Sequence, residues 1–301
     1  MRPSMEEAIN EPQVCDTPKL ARCRRRRALV SMTGTATATE PCDDFGECKA
    51  LIEINASDGD IGFHFLMDGD DLNSARIFDT DGKKVFEDQA KDPLKEQKLT
   101  ETFAESAEPL CWLDPEADPE DFEDIVTLEE FLERWEAGTY TFTGMSDGGE
   151  KSEGQTVLSY ELPAAPIELD FDGTTISWVQ PGGSTGPEPR GDLDNCASAG
   201  ELDILVGNGV LPVHPADVTV DAWEAVLEPD VDDGDPVGGL VFRIRVPGDI
   251  GTTEVTVPAE YLASLPDDTP VKIEVGAIGG DDNATFSEED GFCVNEDAGC
   301  D

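Results

Sequence analysis

Basic residues, histidines and long apolar runs are all scarce in this sequence of 301 residues. Only 20 side chains are Lys or Arg, against 68 that are Asp or Glu, so the formal net charge is −48. A surface this acidic repels phosphate backbones, which excludes nucleic acid as a partner. No stretch approaches the run of about 20 apolar residues that a membrane-spanning helix needs, so no membrane span is expected. With two histidines and no C-x-x-C pair, the spacing suggests no zinc site.

The excess of acidic side chains allows three interpretations. They keep the protein soluble, they hold water in a salty environment, or they bind hard cations such as Ca2+, which prefers oxygen ligands. Calcium is the one cofactor that the composition suggests, and the choice among the three interpretations stays open.

The eight cysteines favour disulfide bonds, because neither their spacing nor the two histidines suggest a metal site. Pairing of Cys42 with Cys48 and of Cys293 with Cys300 would close a short loop at each end of the folded region. Pairing of Cys111 with Cys196 would link its two halves. Eight cysteines can pair in many ways, so this connectivity is one hypothesis. Disulfides imply an oxidising compartment, extracellular or periplasmic.

The N-terminal segment, residues 1–40, is predicted to be a disordered basic tail or a degenerate export signal. Arg24 to Arg27 precede a mildly apolar stretch and then Ala36-Thr37-Ala38, which resembles a cleavage site. The remaining cysteines, Cys15 and Cys23, also lie in this segment.

Residues 41–163 are predicted to form a β-rich N-terminal domain with one helix. CKALIEIN (48–55) and DIGFHFLM (60–67) alternate as strands do, and Asp81-Gly82 marks a hairpin between RIFD and KVFE. Residues 91–126 are predicted to be an exposed loop. Thr127 and Glu130 form a capping box for a helix near 127–136, and strands 138–145 and 153–162 follow.

Residues 144–149, GMSDGG, fit the G-x-S-x-G pattern of a serine-hydrolase nucleophile elbow. An elbow turns from a strand into a helix, whereas here a strand follows and SDGG is good hairpin chemistry. The one histidine after Ser146, His214, precedes a proline in a predicted loop. No plausible set of nucleophile, base and orienting group is present, so the chain is predicted not to be an enzyme.

After PAAP (163–166) the chain is predicted to form seven short strands and no helix, which is typical of a β-sandwich. The strands are 167–172, 174–181, 218–229, 240–247, 252–258, 271–278 and one near 283–289. The predicted fold class is therefore mainly β, with two sandwich-like domains at 41–163 and 164–292 and a tail at 293–301.

Residues 164–292 resemble a fibronectin type III domain. The resemblance lies in a Pro-led first strand, a second strand with Trp178, and a third with Trp223 followed by alternating aliphatics. TTEVTVPAEYL and TPVKIEVGAI look like that family's fifth and sixth strands. The sequence departs from the family at Val271, where a corner tyrosine is expected, and in its long 181–217 loop. It is also similar to uncharacterised secreted bacterial proteins with one such domain, and the N-terminal half resembles small β-sandwich modules appended to secreted enzymes.

Two kinds of candidate site stand out. Arg190, Gly191 and Asp192 form an RGD tripeptide in a Gly- and Pro-rich loop, the setting in which integrins bind RGD. Aspartates crowd several turns and are candidate calcium ligands, although none has the EF-hand spacing: Asp58, Asp60, Asp79, Asp81, Asp230 and Asp232. His64, between Phe63 and Phe65 on the opposite face of a strand, is interpreted as structural.

The predicted function is that of a secreted, non-catalytic structural or binding protein whose ligand is an unknown protein or glycan. The alternative is a calcium-stabilised accessory or adhesion module of an extracellular system that processes polysaccharide or protein.

Overall fold

Within the residues that the structure describes, the chain forms thirteen strands and four short α-helices. A computed structural model of the chain describes residues 42–112, 125–183, 190–232 and 234–295, together with Cys300. The strands are β1 Glu47–Asn55, β2 Asp60–Phe78, β3 Lys84–Gln89, β4 Leu99–Glu105, β5 Gly138–Ser146, β6 Lys151–Leu158, β7 Ile167–Phe171, β8 Thr175–Val179, β9 Val220–Pro229, β10 Phe242–Pro247, β11 Glu254–Thr256, β12 Thr269–Gly279 and β13 Ala284–Val294. The helices are α1 Asp92–Gln97, α2 Leu128–Arg134, α3 Ala199–Asn208 and α4 Ala259–Leu262. The mainly β prediction is confirmed.

Ten of the strands form one sheet that contains residues from both halves of the chain. Its order is β10-β9-β12-β13-β1-β2-β5-β6, and β3 and β4 also pair with β2. The halves meet where β13 runs parallel to β1, with Glu53 opposite Ala284. The boundary predicted near residue 163 stays a prediction. The first of two apolar cores includes Leu193, Leu202 and Leu211 from beyond that point, and one sheet contains strands from both halves.

β2 is longer than predicted, because one continuous strand of 19 residues replaces two separate ones. Its first part lies between β1 and β4, and irregular pairing near residues 68–74 redirects it so that its second part lies between β3 and β5. The N-terminal core lies beneath, where Phe63 stacks on Trp135 with ring centroids 4.0 Å apart. Tyr140 and Phe142 are buried there, as the alternation predicted.

The C-terminal core lies between two sheets. The smaller one, in the order β11-β8-β7, contributes Trp178, and β9 of the large sheet contributes Trp223. The two indole rings lie 5.6 Å apart. All seven strands predicted in this half are present, and the two sheets have the layered arrangement of a sandwich.

Two sequence predictions about helices and loops were wrong. Residues 91–126 are not simply a loop, because α1 and β4 lie within them; β4 pairs with β2 and buries Leu99 and Thr102, while its other side chains are largely polar. The C-terminal half does contain helices, α3 in the long loop and α4 after Pro258. The remainder of the 91–126 segment, from residue 113 to residue 124, lies outside the described residues.

Several local predictions are confirmed. Thr127 accepts a hydrogen bond from the Glu130 amide, and the Glu130 carboxylate accepts one from the Thr127 amide, so α2 begins with the capping box. The three disulfides, Cys42–Cys48, Cys111–Cys196 and Cys293–Cys300, pair as hypothesised. The basic tail, Cys15 and Cys23 lie outside the described residues.

The GMSDGG stretch forms a hairpin, as predicted. Ser146 ends β5, its amide donates to the Glu150 carbonyl, and β6 follows instead of a helix. The Ser146 hydroxyl accepts a hydrogen bond from the Glu150 amide. The ring Nδ1 of His214 accepts one from the Ala216 amide.

Candidate functional site

The pairing of β1 with β2 places two ionisable side chains side by side on one face of the large sheet. Glu53 lies opposite Gly62, and His64 lies opposite Leu51. Directly paired residues share a face, and so do residues two apart along a strand. Glu53 and His64 are therefore diagonal neighbours, while Ile52 and Ile54 point into the core from the other face.

A third ionisable side chain reaches the same place from the segment after β4. The Phe63 amide donates to the Ser106 hydroxyl, and the Ile61 amide donates to the Pro109 carbonyl. These bonds hold residues 106–109 along β2. Glu108 consequently lies over Gly62.

Gly62 provides the space in which these groups meet. A Cβ added to Gly62 would lie 2.9 Å from Nε2 of His64 and 3.0 Å from Cγ of Glu108. The first separation is shorter than real Cβ contacts and the second is tighter than most, so a side chain at this position would displace the imidazole ring or the carboxylate. Gly62 is favoured here because the side chains of His64 and Glu108 lie close to it, and not because of its backbone conformation.

Glu53, His64 and Glu108 bring their ligating atoms within 4.8 Å of one another. Nε2 of His64 is 3.5 Å from Oε1 of Glu108 and has no hydrogen-bond partner. The side chain of His64 is only 9% exposed, whereas that of Glu108 is 44% exposed. The cluster therefore has a buried nitrogen and an approach from solvent.

Burial and mutual repulsion disfavour the ionised forms of Glu53 and Asp60. Burial raises the pKa of Glu53, and the neighbouring Glu108 raises it further, although His64 opposes the shift. Burial, Glu108 and Asp58 together raise the pKa of Asp60 to about 6. Negative charge is concentrated here in a place where water screens it poorly.

The predicted calcium ligands occupy three separate turns. Asp58 and Asp60 lie next to the Glu53–His64–Glu108 cluster, and the Asp58 carboxylate accepts a hydrogen bond from the Asn55 side chain at 2.9 Å. Glu108 and Glu53 both act electrostatically on Asp60 and raise its pKa.

The other two predicted pairs lie apart from that cluster in the chain. The Asp79 carboxylate accepts hydrogen bonds from the amides of Asp81 and Lys83, so it braces the hairpin between β2 and β3. Asp230 and Asp232 are exposed in the segment after β9, where the Asp230 amide donates to the Pro270 carbonyl.

The RGD tripeptide packs against the fold instead of projecting from it. The Arg190 guanidinium pairs with Asp203 and lies 3.3 Å from Asp217. Gly191 is buried, and an added Cβ would lie 2.6 Å from Pro181. The Asp192 carbonyl accepts a hydrogen bond from the Ala165 amide. Arg190 would have to leave Asp203 in order to reach an acidic pocket of a receptor.

The sequence did not indicate Glu53 and Glu108 as functional residues, and it indicated a structural role for His64. The alternation of β1 and β2 shows that Glu53 and His64 point away from the core. The register that pairs Glu53 with Gly62 would have shown that they are close together. Nothing local indicates that Glu108 folds back over Gly62.

The sequence matches no known family model and no curated protein. Three solved structures show weak similarity. They are a tetra-tandem repeat in the extending region of a large adhesion protein (TM-score 0.23, 11% identity), a 1.5-MDa bacterial ice-binding adhesin (0.20, 11%) and the BSP domain of a biofilm-associated protein (0.19, 13%). They cover 82%, 83% and 85% of this chain, which in turn spans 50%, 64% and 30% of theirs.

TM-scores this low do not establish a shared fold, so the function is argued from the side chains of this chain. In the described part of the chain, no helix is long and apolar enough to cross a bilayer.

Proposed function

We propose that this chain is a non-catalytic structural or binding protein of an extracellular or periplasmic space, with a protein or glycan as its ligand. The observation that carries the proposal is the set of three disulfides. Disulfides persist in oxidising compartments and are rare where thiols are kept reduced.

The disulfides are built into the structure at points where chain segments meet. Cys42 lies against β6 so closely that a Cβ on Gly154 would be 2.5 Å from its Sγ. Cys111 and Cys196 are buried and join segments 85 residues apart. Closing a loop of this length stabilises a folded chain by about 4 kcal/mol in the chain-entropy model. Such cross-links suit a protein that must stay folded outside the reducing cytoplasm.

The finer assignment of residues 164–292 to the fibronectin type III class is part of this proposal. The strand arrangement supports it, because the first, second and fifth strands of this half form one sheet and the other four lie together. Trp178 and Trp223 face each other across the core. Two departures remain, the α3 helix in the long loop and Val271 at the expected tyrosine position. Tyr261 instead places its hydroxyl 2.9 Å from the Leu227 carbonyl oxygen.

The disulfide argument is tested with the full-length chain and two double variants. Cys111→Ser with Cys196→Ser should lower the free energy of unfolding by about 4 kcal/mol, because an 85-residue loop is released. Cys293→Ser with Cys300→Ser, which opens a loop of seven residues, should cost less. Urea unfolding with and without reductant measures both. If the reduced wild-type chain unfolds at the same midpoint as the oxidised one, the argument for an oxidising compartment is lost.

Ligand class is tested by retention of the oxidised chain on insoluble chitin, cellulose and peptidoglycan, and by attachment of cultured cells to a coated surface. The RGD proposal predicts that Asp192→Glu abolishes cell attachment and leaves glycan retention unchanged. Equal attachment by the variant and the wild type would contradict adhesion through RGD. It would not affect the proposal of a glycan ligand.

The second candidate function, a calcium-stabilised accessory module, is favoured by the Asp58 and Asp60 pair, whose charge is concentrated beside Glu108. A ligand that binds only the folded state raises the unfolding temperature. We expect a rise with millimolar CaCl2 that equal MgCl2 does not give. A rise only in molar NaCl would instead mean that the acidity is an adaptation to salt.

A further inference from the structure

We propose that Glu53, His64 and Glu108 form a binding site for one divalent transition-metal ion of the zinc type. The proposal goes beyond a role in adhesion or structure and does not depend on it. It assigns a specific ligand class to a cluster for which the sequence suggested no metal.

The first argument is the buried nitrogen of His64. Its side chain is more than nine-tenths buried, and Nε2 points at the Glu108 carboxylate without a hydrogen-bond partner. Leaving a buried polar atom unpaired costs about 1–3 kcal/mol. Native structures rarely keep such an atom without a reason, and a bound ion is one of the accepted reasons.

The second histidine is a useful contrast, because its ring nitrogens are near backbone groups. Nδ1 of His214 accepts from the Ala216 amide, and Nε2 is 3.4 Å from the Ala199 carbonyl oxygen. His214 is thus explained as a structural residue. Nε2 of His64 makes no such hydrogen bond and lies 3.5 Å from the Glu108 carboxylate.

The second argument is charge. Glu53 and Glu108 bring two carboxylates to the same buried nitrogen, and burial disfavours the ionised form of Glu53. Among the ion pairs of the described residues, Glu53 has none with Lys or Arg, and Glu108 pairs only with His64. A divalent cation would balance both carboxylates and coordinate the nitrogen at once.

The third argument is distance. Ligands 2.0–2.1 Å from a tetrahedral zinc ion lie about 3.4 Å from one another. The 3.5 Å between Nε2 of His64 and Oε1 of Glu108 matches that spacing. All three ligating atoms lie within 4.8 Å, so a small rotation of the glutamate side chains would complete the set.

The donor set selects the metal. Imidazole nitrogen suits zinc and its neighbours in the first transition row, whereas Ca2+ and Mg2+ prefer oxygen ligands alone. Three protein ligands leave a fourth position for water on the side where Glu108 is exposed. The site therefore differs in chemistry from a calcium site made by the turn aspartates.

The test uses the full-length oxidised chain after removal of metals with a chelator. Cys15→Ser with Cys23→Ser is the background, because cysteine is itself a zinc ligand. Isothermal titration with ZnCl2, CaCl2 and MgCl2 measures stoichiometry and affinity. We expect one zinc ion per chain at micromolar concentration or tighter, and no binding of Ca2+ or Mg2+ that depends on these three residues.

Three variants locate the site. His64→Gln and Glu108→Gln should each weaken zinc binding by about tenfold or more. Glu101→Gln, an exposed glutamate on β4, is the matched control and should leave the affinity unchanged. Because Glu108 is partly exposed, its substitution keeps the proposal testable even where His64→Gln fails to fold.

Cobalt substitution provides a readout that does not depend on stability. Co2+ bound by one nitrogen and two carboxylates should give visible absorption bands that His64→Gln or Glu108→Gln removes. Zinc binding that is equal in the wild type, Glu108→Gln and Glu101→Gln would overturn the proposal. So would the absence of binding at 100-fold excess of zinc over protein, at about millimolar concentration.

Discussion

Asn283 and His64 are both buried polar side chains of the ten-stranded sheet, but only Asn283 has its hydrogen bonds satisfied. Asn283 is fully buried just before β13. Its Oδ1 accepts from the Ile52 amide, and its Nδ2 donates to the carbonyl oxygens of Ser159 and Glu161. Nε2 of His64 has no partner. The two side chains meet β1 at adjacent residues, since Asn283 bonds to Ile52 and His64 lies opposite Leu51.

The contrast teaches how to separate structural from functional polar residues in this protein. A buried group with every hydrogen bond made stabilises the chain segments that it joins. A buried group without its bonds costs free energy unless a ligand supplies them. Asn283 joins β1, the segment after β6 and β13, whereas His64 is available to a ligand.

The acidic residues show the same contrast. Asp79 and Asp172, both in turns, accept hydrogen bonds from nearby backbone amides. Those bonds lower the pKa of Asp172. Glu53 and Glu274 lie on the sheet face, where burial raises the pKa of each. The net charge alone does not distinguish these two groups of acids.

The largest effect of a single substitution is expected for Asn283→Ala. The variant leaves the buried Ile52 amide without a partner and removes the hydrogen bonds to the carbonyl oxygens of Ser159 and Glu161, so the free energy of unfolding should fall by about 3 kcal/mol. Urea unfolding measures the loss. Asn208→Ala, at an exposed position near the end of α3, should change stability by less than about 0.5 kcal/mol. Equal losses in the two variants would show that Asn283 does not join the segments.

The sequence predicted those elements whose signals are local. The capping box of Thr127 and Glu130 begins α2, and the Asp81-Gly82 turn joins β2 to β3. Each signal acts between residues a few positions apart, so neighbours in sequence are sufficient to read it. The same capping chemistry precedes α3, where the Glu201 carboxylate accepts hydrogen bonds from the amide and hydroxyl of Ser198. It was missed because the apolar stripe of α3 is short. Only Leu202, Leu205 and Val206 pack on the core, and Ile204 is 61% exposed.

The candidate metal site could not be predicted, because it depends on contacts between distant residues. Glu53 and His64 are brought together by the register of the β1–β2 pairing. Glu108 reaches His64 because residues 106–109 bond to β2. The sequence could predict only that Glu53 and His64 point away from the core, because the alternation of β1 and β2 places them on the other face.

The second prediction concerns Glu274 on β12. Burial raises the pKa of this side chain to about 7. Among neighbouring charges, Arg243 lowers this pKa, while Glu288, Glu53 and Glu228 raise it. In the folded state Glu274 keeps its proton to higher pH than in the unfolded state, so its contribution to stability falls as pH rises from about 4.5 to about 7. Glu274→Gln should therefore be about 2 kcal/mol more stable than the wild type at pH 8 and nearly equal to it at pH 4.

Urea unfolding of both proteins across this pH range measures the difference. Glu254→Gln, at an exposed position on β11, is the control and should follow the wild-type curve. A difference between Glu274→Gln and the wild type that is the same at pH 4 and pH 8 would contradict the prediction, because it could not come from titration of Glu274.

The smallest effect is expected in the hairpin between β2 and β3. It tests an acidic side chain whose carboxylate is bound by backbone amides. Asp79→Ala removes the acceptor of the Asp81 and Lys83 amides, so the free energy of unfolding should fall by about 1 kcal/mol. Asp79→Asn keeps an acceptor oxygen and removes only the charge, so its stability should remain within about 0.5 kcal/mol of the wild type. If Asp79 is a calcium ligand instead, Asp79→Asn will reduce the rise in unfolding temperature with CaCl2. If its role is confined to the turn, that rise will be unchanged, because the carboxylate is already used by the backbone.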